Sequence, residues 1–254
     1  MRQLYPAPAN DAAAVDVAAV YADLDWPLDA GLPRDRPFTA LNMVSSADGR
    51  VTLDGAARGI GGAVDHTLLL RLRTHADALL HGSGTLRADG VGKGVPSALE
   101  AVRRARGLTA QPLLALLTAS GDVPLTRALF RVPARTVVFI AERTPADAVA
   151  RLRERATVRV AGAERPDPVE VMRVLRQEYG VRRLLCEGGP TLNGALLTAG
   201  LLDELFLTLA PTLLAGNGPS LVAGAPLRPP TPLTLRSLYE HEGELYLRYG
   251  VGRP

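Results

Sequence analysis

The sequence has little of what several classes of protein depend on. One cysteine, Cys186, stands in 254 residues, which excludes a disulfide within the chain. No group of Cys and His residues has the spacing of metal ligands, so we expect no metal site. Aromatic residues make up only 4% of the chain, and arginine-rich runs such as 103–106 are short. Both observations argue against a nucleic-acid partner.

Long apolar stretches are absent as well. No run approaches the ~18 apolar residues that can span a bilayer. Residues 1–10 are polar and contain proline, unlike a signal peptide. We therefore expect a cytoplasmic protein without a membrane partner. Hydrophobic residues make up 47% of the chain, which is enough for one large domain with a sizeable core.

What the sequence does contain is a glycine-rich turn at residues 187–194 between two apolar segments. The pattern predicts a buried strand that ends at Glu187, a sharp turn at Gly188 and Gly189, and a helix that opens with Pro190. Such a helix start offers unpaired N–H groups and a partial positive charge, which suit the diphosphate of a nucleotide. On its own, the pattern fits a plain connector between strand and helix equally well.

A second glycine turn lies upstream, where a short strand over residues 78–81 leads into residues 82–85. Neither this turn nor the one at 59–62 has the third glycine of the dinucleotide-binding fingerprint, which disfavours an ordinary Rossmann domain. In a parallel sheet, however, ligands collect beyond the carboxyl ends of the strands. One extended ligand could therefore contact both glycine turns.

The turn over residues 45–50 adds polar chemistry after a predicted core strand. It holds two serines, Asp48 and Arg50, so an acid and a cation follow the strand directly. Asp48 and Gly49 can also simply form a solvated turn. The residue types leave both interpretations of Asp48 open.

The order of the predicted elements indicates an α/β fold with a mainly parallel central sheet flanked by helices. Residues 1–35 form an N-terminal arm with one short helix over 12–21, and residues 36–254 form the main domain. Predicted strands cover residues 38–44, 78–81, 113–118, 136–141, 158–161 and 183–187, and predicted helices cover 64–74, 146–156, 168–179 and 191–199. After Gly200 the alternation ceases, and strands at 204–210, 233–240 and 244–249 predict an antiparallel C-terminal ribbon.

Together these segments resemble the reductase domain of the bacterial riboflavin-biosynthesis deaminase/reductase and the stand-alone pyrimidine reductases of dihydrofolate-reductase-like fold. The resemblance covers about residues 36–250. The matching motifs are Ser-x-Asp-Gly-Arg at 46–50, Leu-Arg at 72–73, Gly-Ser-Gly-Thr at 82–85, Ala-Asp at 88–89, Glu-Gly-Gly-Pro-Thr-Leu at 187–192 and Leu-x-Asp-Glu-Leu at 201–205. The zinc motifs of the deaminase do not occur, so the resemblance implies a reductase alone.

The resemblance implies an NADPH-dependent oxidoreductase that acts as a homodimer. Its reaction is hydride transfer to the ribosyl carbon C1′ of an aminopyrimidine ribonucleotide phosphate. The resemblance gives Asp48 and Glu187 polar or proton-handling roles in catalysis, and it makes Arg73 and Glu187 substrate contacts. The implied cofactor contacts are Val44, Gly82, Ser83, Gly84, Thr85, Asp89, Thr118, Gly188, Gly189, Pro190, Thr191, Leu192 and Asn193, with Ser120 and Thr118 near the cofactor's 2′-phosphate.

The chain departs from the family pattern at two places. Residues 90–94 replace a segment with which many members present an arginine to the substrate phosphate, and His81 stands where the family usually carries an apolar residue. Two alternatives therefore stay open, namely a reductase of the same fold for dihydrofolate or another pterin, and a protein that binds NADPH without catalysis. Retention of the set Asp48, Arg73, Asp89 and Glu187 favours catalysis, because NADPH binding alone does not need the whole set.

Overall fold

The computed structural model describes residues 1–7, 14–27, 31–89 and 94–252. Its ten strands are β1 (Arg2–Tyr5), β2 (Phe38–Ser46), β3 (Ala78–Gly82), β4 (Leu113–Leu117), β5 (Thr136–Ile140), β6 (Thr157–Val160), β7 (Arg183–Cys186), β8 (Glu204–Ala210), β9 (Leu233–His241) and β10 (Glu244–Val251). The helices are α1 (Ala63–Arg73), α2 (Ser83–Asp89), α3 (Ser97–Ala105), α4 (Ala146–Arg153), α5 (Pro168–Gln177) and α6 (Pro190–Thr198), with 3₁₀ turns at Ala128–Arg131 and Pro133–Arg135.

All ten strands form one sheet in the order β1-β9-β10-β8-β2-β7-β3-β4-β5-β6. From β8 to β6 every neighbouring pair is parallel, while β10, β9 and β1 add antiparallel strands at the other edge. The predicted α/β class and the C-terminal ribbon are confirmed. β8 belongs to that ribbon through its antiparallel pairing with β10, and it also pairs in parallel with β2, so it joins the two halves of the sheet.

The hairpin between β9 and β10 turns at the predicted position. His241 pairs with Glu244, which leaves Glu242 and Gly243 as the two-residue loop. Both loop residues have positive φ, +49° and +84°, as a type I′ turn requires. That backbone twist matches the right-handed twist of the flanking strands, so the short sequence Glu-Gly sets the pairing register.

The parallel strands are buried on both faces. Successive residues alternate between the two sides of a strand, so Leu79 and Leu80 of β3 belong to different core clusters. One cluster packs against α1 through Leu68 and Leu72. The other packs against α5 and α6, where Leu196 is fully buried. Helices on both faces explain why these strands read as continuous apolar runs in the sequence.

The predicted helix over 12–21 is wrong where the chain is described. Ala14 forms an isolated bridge with Arg2, residues 17–22 form turns, and residues 12–13 lie outside the described part. A short isolated helix is marginal in water. Here the segment is held instead by the Arg71 guanidinium, which donates hydrogen bonds to the carbonyls of Val17 and Val20.

Other differences are smaller. The sequence did not predict β1 or α3. The segment 82–85, expected as an open turn, ends β3 at Gly82 and starts α2 at Ser83. Cys186 is fully buried at the end of β7, and burial raises the pKa of its thiol to about 12. In the described residues we find no helix that is long and apolar enough to cross a membrane, and no cluster of three or more His, Cys, Asp or Glu side chains that could hold a metal.

Candidate active site

A cleft of about 1360 Å³ opens beyond the carboxyl ends of β2, β7, β3 and β4. Residues of α1, α2 and α6 contribute to its walls, and the strand ends form its floor. This is the edge at which open parallel sheets collect their ligands. The cleft therefore lies where the two glycine turns predicted it.

The two glycine turns meet at the floor of this cleft. β3 and β7 are adjacent parallel strands, and the Gly82 amide donates a hydrogen bond of 2.8 Å to the Gly188 carbonyl. A Cβ atom at Gly82 would lie 3.5 Å from the Gly189 nitrogen. The predicted juxtaposition of these segments is confirmed.

The turn after β7 requires glycine for steric reasons. Gly188 has φ of +79°, and a Cβ atom there would lie 2.8 Å from the Met43 sulfur, so only glycine fits. Gly189 follows through a cis peptide bond and caps α6. Pro190 is the first residue of α6, and Thr191 and Leu192 line the cleft. Because first-turn amides have no partner within the helix, this helix start presents free donors beside the cleft.

The opposite wall begins at α2. Ser83, Gly84 and Thr85 all line the cleft, as do Val44 at the end of β2 and Thr118 after β4. Thr118 is almost fully buried, and its hydroxyl accepts a hydrogen bond of 3.1 Å from the Gly121 amide. These five predicted cofactor contacts therefore share one cavity. Asp89 is the last residue of α2, and its side chain lies outside the described part of the structure.

Arg73 and Glu187, the two predicted substrate contacts, bind each other. Arg73 Nε and Nη2 each donate a 2.7 Å hydrogen bond to one carboxylate oxygen of Glu187. Nη1 of Arg73 donates to the Gly94 carbonyl at 2.8 Å. Both side chains are less than 10% exposed, and both residues line the cleft. Fork-to-fork pairing of this kind fixes both groups, so the cleft wall is rigid and locally neutral at this point.

The electrostatics of Glu187 follow from this pairing. Burial opposes ionisation, but the charge and hydrogen bonds of Arg73 hold the pKa of the carboxyl below its ordinary value. His81 lies behind the pair, fully buried, with Nδ1 4.0 Å from a Glu187 oxygen. Among the described residues neither of its ring nitrogens has a hydrogen-bond partner, and burial lowers its pKa to about 4. His81 is therefore a neutral ring at physiological pH.

Residues 37–245 match the model of the RibD C-terminal domain. The chain belongs to this family. The 2,5-diamino-6-ribosylamino-4(3H)-pyrimidinone 5′-phosphate reductase of Archaeoglobus fulgidus is 32% identical over 184 residues, which cover 72% of this chain and 84% of that protein. The reductase of the same name from Methanothermobacter thermautotrophicus is 32% identical over 182 residues, 72% of this chain and 81% of that protein.

Solved structures of similar proteins show the same dihydrofolate-reductase-like fold. A pyrimidine reductase-like protein from Corynebacterium diphtheriae superimposes with a TM-score of 0.77 at 24% identity, over 89% of this chain and 97% of that one. The riboflavin biosynthesis reductase Rib7 of Saccharomyces cerevisiae gives 0.63 at 18% identity, over 85% and 90% of the two chains. The RibD C-terminal fold is therefore shown by sequence and by structure.

Asp48, which was predicted to have a polar or proton-handling role in catalysis, is exposed and lies outside the cleft lining. Its carboxylate accepts hydrogen bonds from the Ser46 hydroxyl at 2.6 Å and from the amides of Leu214 and Ala215 at 3.1 and 2.7 Å. The Ser46 hydroxyl and these amides lower the pKa of Asp48 to about 2. Through these hydrogen bonds Asp48 joins the turn over residues 45–50 to residues 214–215.

Three other expected contacts also lie outside the cleft lining. The Asn193 side chain is fully buried, and its Nδ2 donates a 2.8 Å hydrogen bond to the Leu221 carbonyl. Ser120 is exposed and accepts a hydrogen bond from the Asp122 amide at 3.2 Å. Gly188 is buried. A cofactor contact at these three positions stays a prediction.

Sequence reasoning also missed residues that do line the cleft. Asp65 and Leu69 stand on α1 at four-residue intervals before Arg73, so all three face the same side of the helix. Once the helix was predicted, the i, i+4, i+8 spacing could have indicated that these residues share a face with Arg73. Arg165 lines the far end of the cleft, beyond β6. Nothing in its local sequence distinguishes it from the other arginines.

Proposed function

We propose that this chain is an NADPH-dependent reductase that converts the ribosyl group of an aminopyrimidine ribonucleotide phosphate to a ribityl chain, in riboflavin biosynthesis. The observation that carries the proposal is one cleft that holds both glycine turns and the buried Arg73–Glu187 pair. The names of the archaeal relatives support the substrate class. A chain that only bound a nucleotide would gain nothing from burying the Arg73–Glu187 charge pair in the same cleft.

The residues around the glycine turns fit a dinucleotide cofactor. Gly82 and Gly189 expose backbone at the floor, where a side chain would fill space, and the first-turn amides of α6 offer donors to a diphosphate. Ser83, Gly84 and Thr85 line the facing wall. A nicotinamide cofactor bound here supplies a hydride. The protein's contribution is to hold the substrate in register beside it.

The choice of NADPH over NADH is proposed from the far end of the cleft. Thr118 and Ala119 lie after β4, and the guanidinium-bearing Arg165 lies beyond β6. An arginine gives a phosphate charge-assisted, two-pronged hydrogen bonding. We propose that Arg165 contacts the 2′-phosphate, a role that the sequence had suggested for Thr118 and Ser120.

The reaction must balance at the sugar. A hydride adds to C1′, the bond between C1′ and the ring oxygen breaks, and that oxygen takes up a proton to become a hydroxyl group. The cofactor leaves oxidised by two electrons. Arg73 and Glu187 orient the sugar end of the substrate in this proposal, because the pair is fixed and its carboxylate oxygens keep free lone pairs.

We also propose a cytoplasmic homodimer. Cytoplasmic location follows from the soluble substrate and cofactor that the proposal requires. The homodimer rests on the resemblance, in which the C-terminal ribbon often forms the interface. Light scattering at micromolar concentration measures the oligomeric state directly, and a monomer would refute this part.

The function is tested by following NADPH oxidation at 340 nm with the diaminopyrimidinone ribotide, its deaminated counterpart and dihydrofolate. We expect turnover with a ribotide and none with dihydrofolate. Turnover of dihydrofolate alone would make the chain a pterin reductase. Tight NADPH binding by calorimetry with no turnover of any of the three compounds would show that the chain binds NADPH without catalysis.

A further inference from the structure

Asp65 is a carboxyl group in the cleft wall that neither cofactor binding nor the Arg73–Glu187 pair uses. It stands in the first turn of α1 and lines the cleft on the same helix face as Leu69 and Arg73. Eight residues of helix place it roughly 12 Å from Arg73 along the axis. A substrate lying along α1 therefore meets Arg73 at one end and Asp65 at the other.

The surroundings of Asp65 leave its carboxylate short of hydrogen-bond donors. Burial raises its pKa, and the nearby Glu244 carboxylate acts in the same direction. The neighbouring Thr208 hydroxyl and, to a smaller extent, His66 favour its ionised form. In the described part of the chain no arginine or lysine forms an ion pair with Asp65. A ligand that donated hydrogen bonds would supply what the protein does not.

Glu244, the other carboxylate in this corner, is already satisfied. One oxygen accepts a 2.7 Å hydrogen bond from the Gly62 amide, and the other accepts one from the Tyr246 hydroxyl. Tyr246 is almost fully buried in the ribbon. Glu244 therefore fixes the chain around Gly62 at the start of α1, and of these two acidic residues only Asp65 lines the cleft.

We propose that Asp65 recognises the 2-amino group and the adjacent N3–H of the pyrimidinone ring, and thereby selects the 2-amino over the deaminated 2-oxo ribotide. This inference rests on the proposed function. The amino group and N3–H are neighbouring donors that match the two oxygens of one carboxylate. In the deaminated ring a carbonyl oxygen replaces the amino group, so lone pairs would face the carboxylate. Arg73 and Glu187 then receive the ribosyl end.

Binding measured without NADPH tests the proposal in the wild-type protein. We expect the 2-amino ribotide to bind at least tenfold more tightly than the 2-oxo ribotide by calorimetry, with the same order in kcat/KM. Equal binding of the two ribotides would overturn the inference, and this measurement needs no variant. If the protein binds a ribotide with the expected preference but does not oxidise NADPH, the proposed function fails while the recognition by Asp65 stands.

Asp65→Asn makes the test sharper. An amide presents one acceptor and one donor, which match N3–H and the 2-oxo group. We expect the preference to fall at least tenfold and to shift towards the 2-oxo ribotide, with NADPH affinity unchanged. Asp35→Asn, which alters an exposed carboxylate outside the cleft lining, is the matched control and should leave the ratio as in the wild type. An unaltered ratio in folded Asp65→Asn would also overturn the inference.

Discussion

Replacing Glu187 by Gln should destabilise the protein far more than the loss of one surface charge. The substitution keeps the size of the side chain but removes the negative charge that neutralises Arg73. Arg73 would stay in place, because its Nη1 donates to Gly94 and its side chain is only 8% exposed. Its charge would then be buried without a partner. Breaking a buried ion pair on one side typically costs about 3–5 kcal/mol.

The chain offers a control of matched geometry. Glu170 and Arg173 also form a two-pronged pair, with distances of 2.6 and 2.7 Å, but these side chains are 37% and 43% exposed. An exposed pair contributes about 0–1 kcal/mol. Glu170→Gln should therefore lie within ~1 kcal/mol of wild type, although the two arginine–carboxylate pairs have nearly the same geometry. The difference between the two variants isolates burial as the cause.

Urea unfolding followed by circular dichroism measures both variants. For a total stability of about 5–15 kcal/mol, Glu187→Gln should lower the unfolding midpoint markedly with little change in slope. If Glu187→Gln costs no more than Glu170→Gln, the Arg73–Glu187 pair does not act as a buried charge pair. The account of a rigid, neutral cleft wall would then be wrong.

Acidification gives a second readout of the same pair. The pKa of Glu187 is lower in the folded protein than its ordinary value. Its stabilisation is therefore complete above the ordinary carboxyl pKa of ~4.3 and is lost as pH falls through the lower folded value. His81 affects stability in a higher pH range, because its pKa falls from 6.5 to about 4 on folding. As pH falls from 6.5 to about 4 the unfolded chain takes up a proton that the folded protein does not, and stability is lost. The difference in the free energy of unfolding between wild type and Glu187→Gln should decrease only below about pH 4.

Three further predictions concern the rest of the site. Gly189→Val should abolish NADPH binding in a folded protein, because the new side chain obstructs the cleft. The added Cβ would lie 2.8 Å from the Thr85 hydroxyl, which can rotate away. Unchanged NADPH affinity by calorimetry would refute this prediction. Arg165→Ala should raise the KM for NADPH about tenfold or more and leave the KM for NADH unchanged. A charge-assisted hydrogen bond to the 2′-phosphate contributes about 1.5–3 kcal/mol. Equal effects on both cofactors would count against a 2′-phosphate contact. Asp48→Asn should lower the melting temperature with little effect on kcat/KM. One amide oxygen cannot accept all the hydrogen bonds now made to the carboxylate. A large loss of kcat/KM at an unchanged melting temperature would support the catalytic role first expected from the sequence.

The sequence predicted the parts of the fold that follow from backbone chemistry. Gly82 and Gly188 are needed where two strands end side by side, and Pro190 is pre-set to begin a helix. The roles of loop residues were harder to predict from the sequence, because the same residue types form turns, join segments and bind ligands. Asp48 lies within a family motif, yet only the position of the 214–215 backbone reveals that its carboxylate is occupied. Sequence spacing cannot show a contact between segments 166 residues apart.

Paired charges were harder still to predict. Arg73 and Glu187 were each expected to contact substrate, and both do line the cleft. Their mutual bond joins residues 114 positions apart and leaves little of the Arg73 fork for a ligand. His81, which departs from the family pattern, lies against this pair. An apolar residue there would remove the two unpartnered ring nitrogens, so stability should not require histidine at this position.

The N-terminal arm shows how distant sequence acts on the cleft without lining it. Arg71 reaches from α1 to the carbonyls of Val17 and Val20, and His75 Nε2 lies 3.0 Å from the Tyr21 carbonyl. The opposite face of the same helix carries Asp65 and Arg73. None of the described arm residues lines the cleft. The arm therefore holds α1 from behind, and the helix in turn sets the distance between the two cleft groups that the proposed substrate would contact.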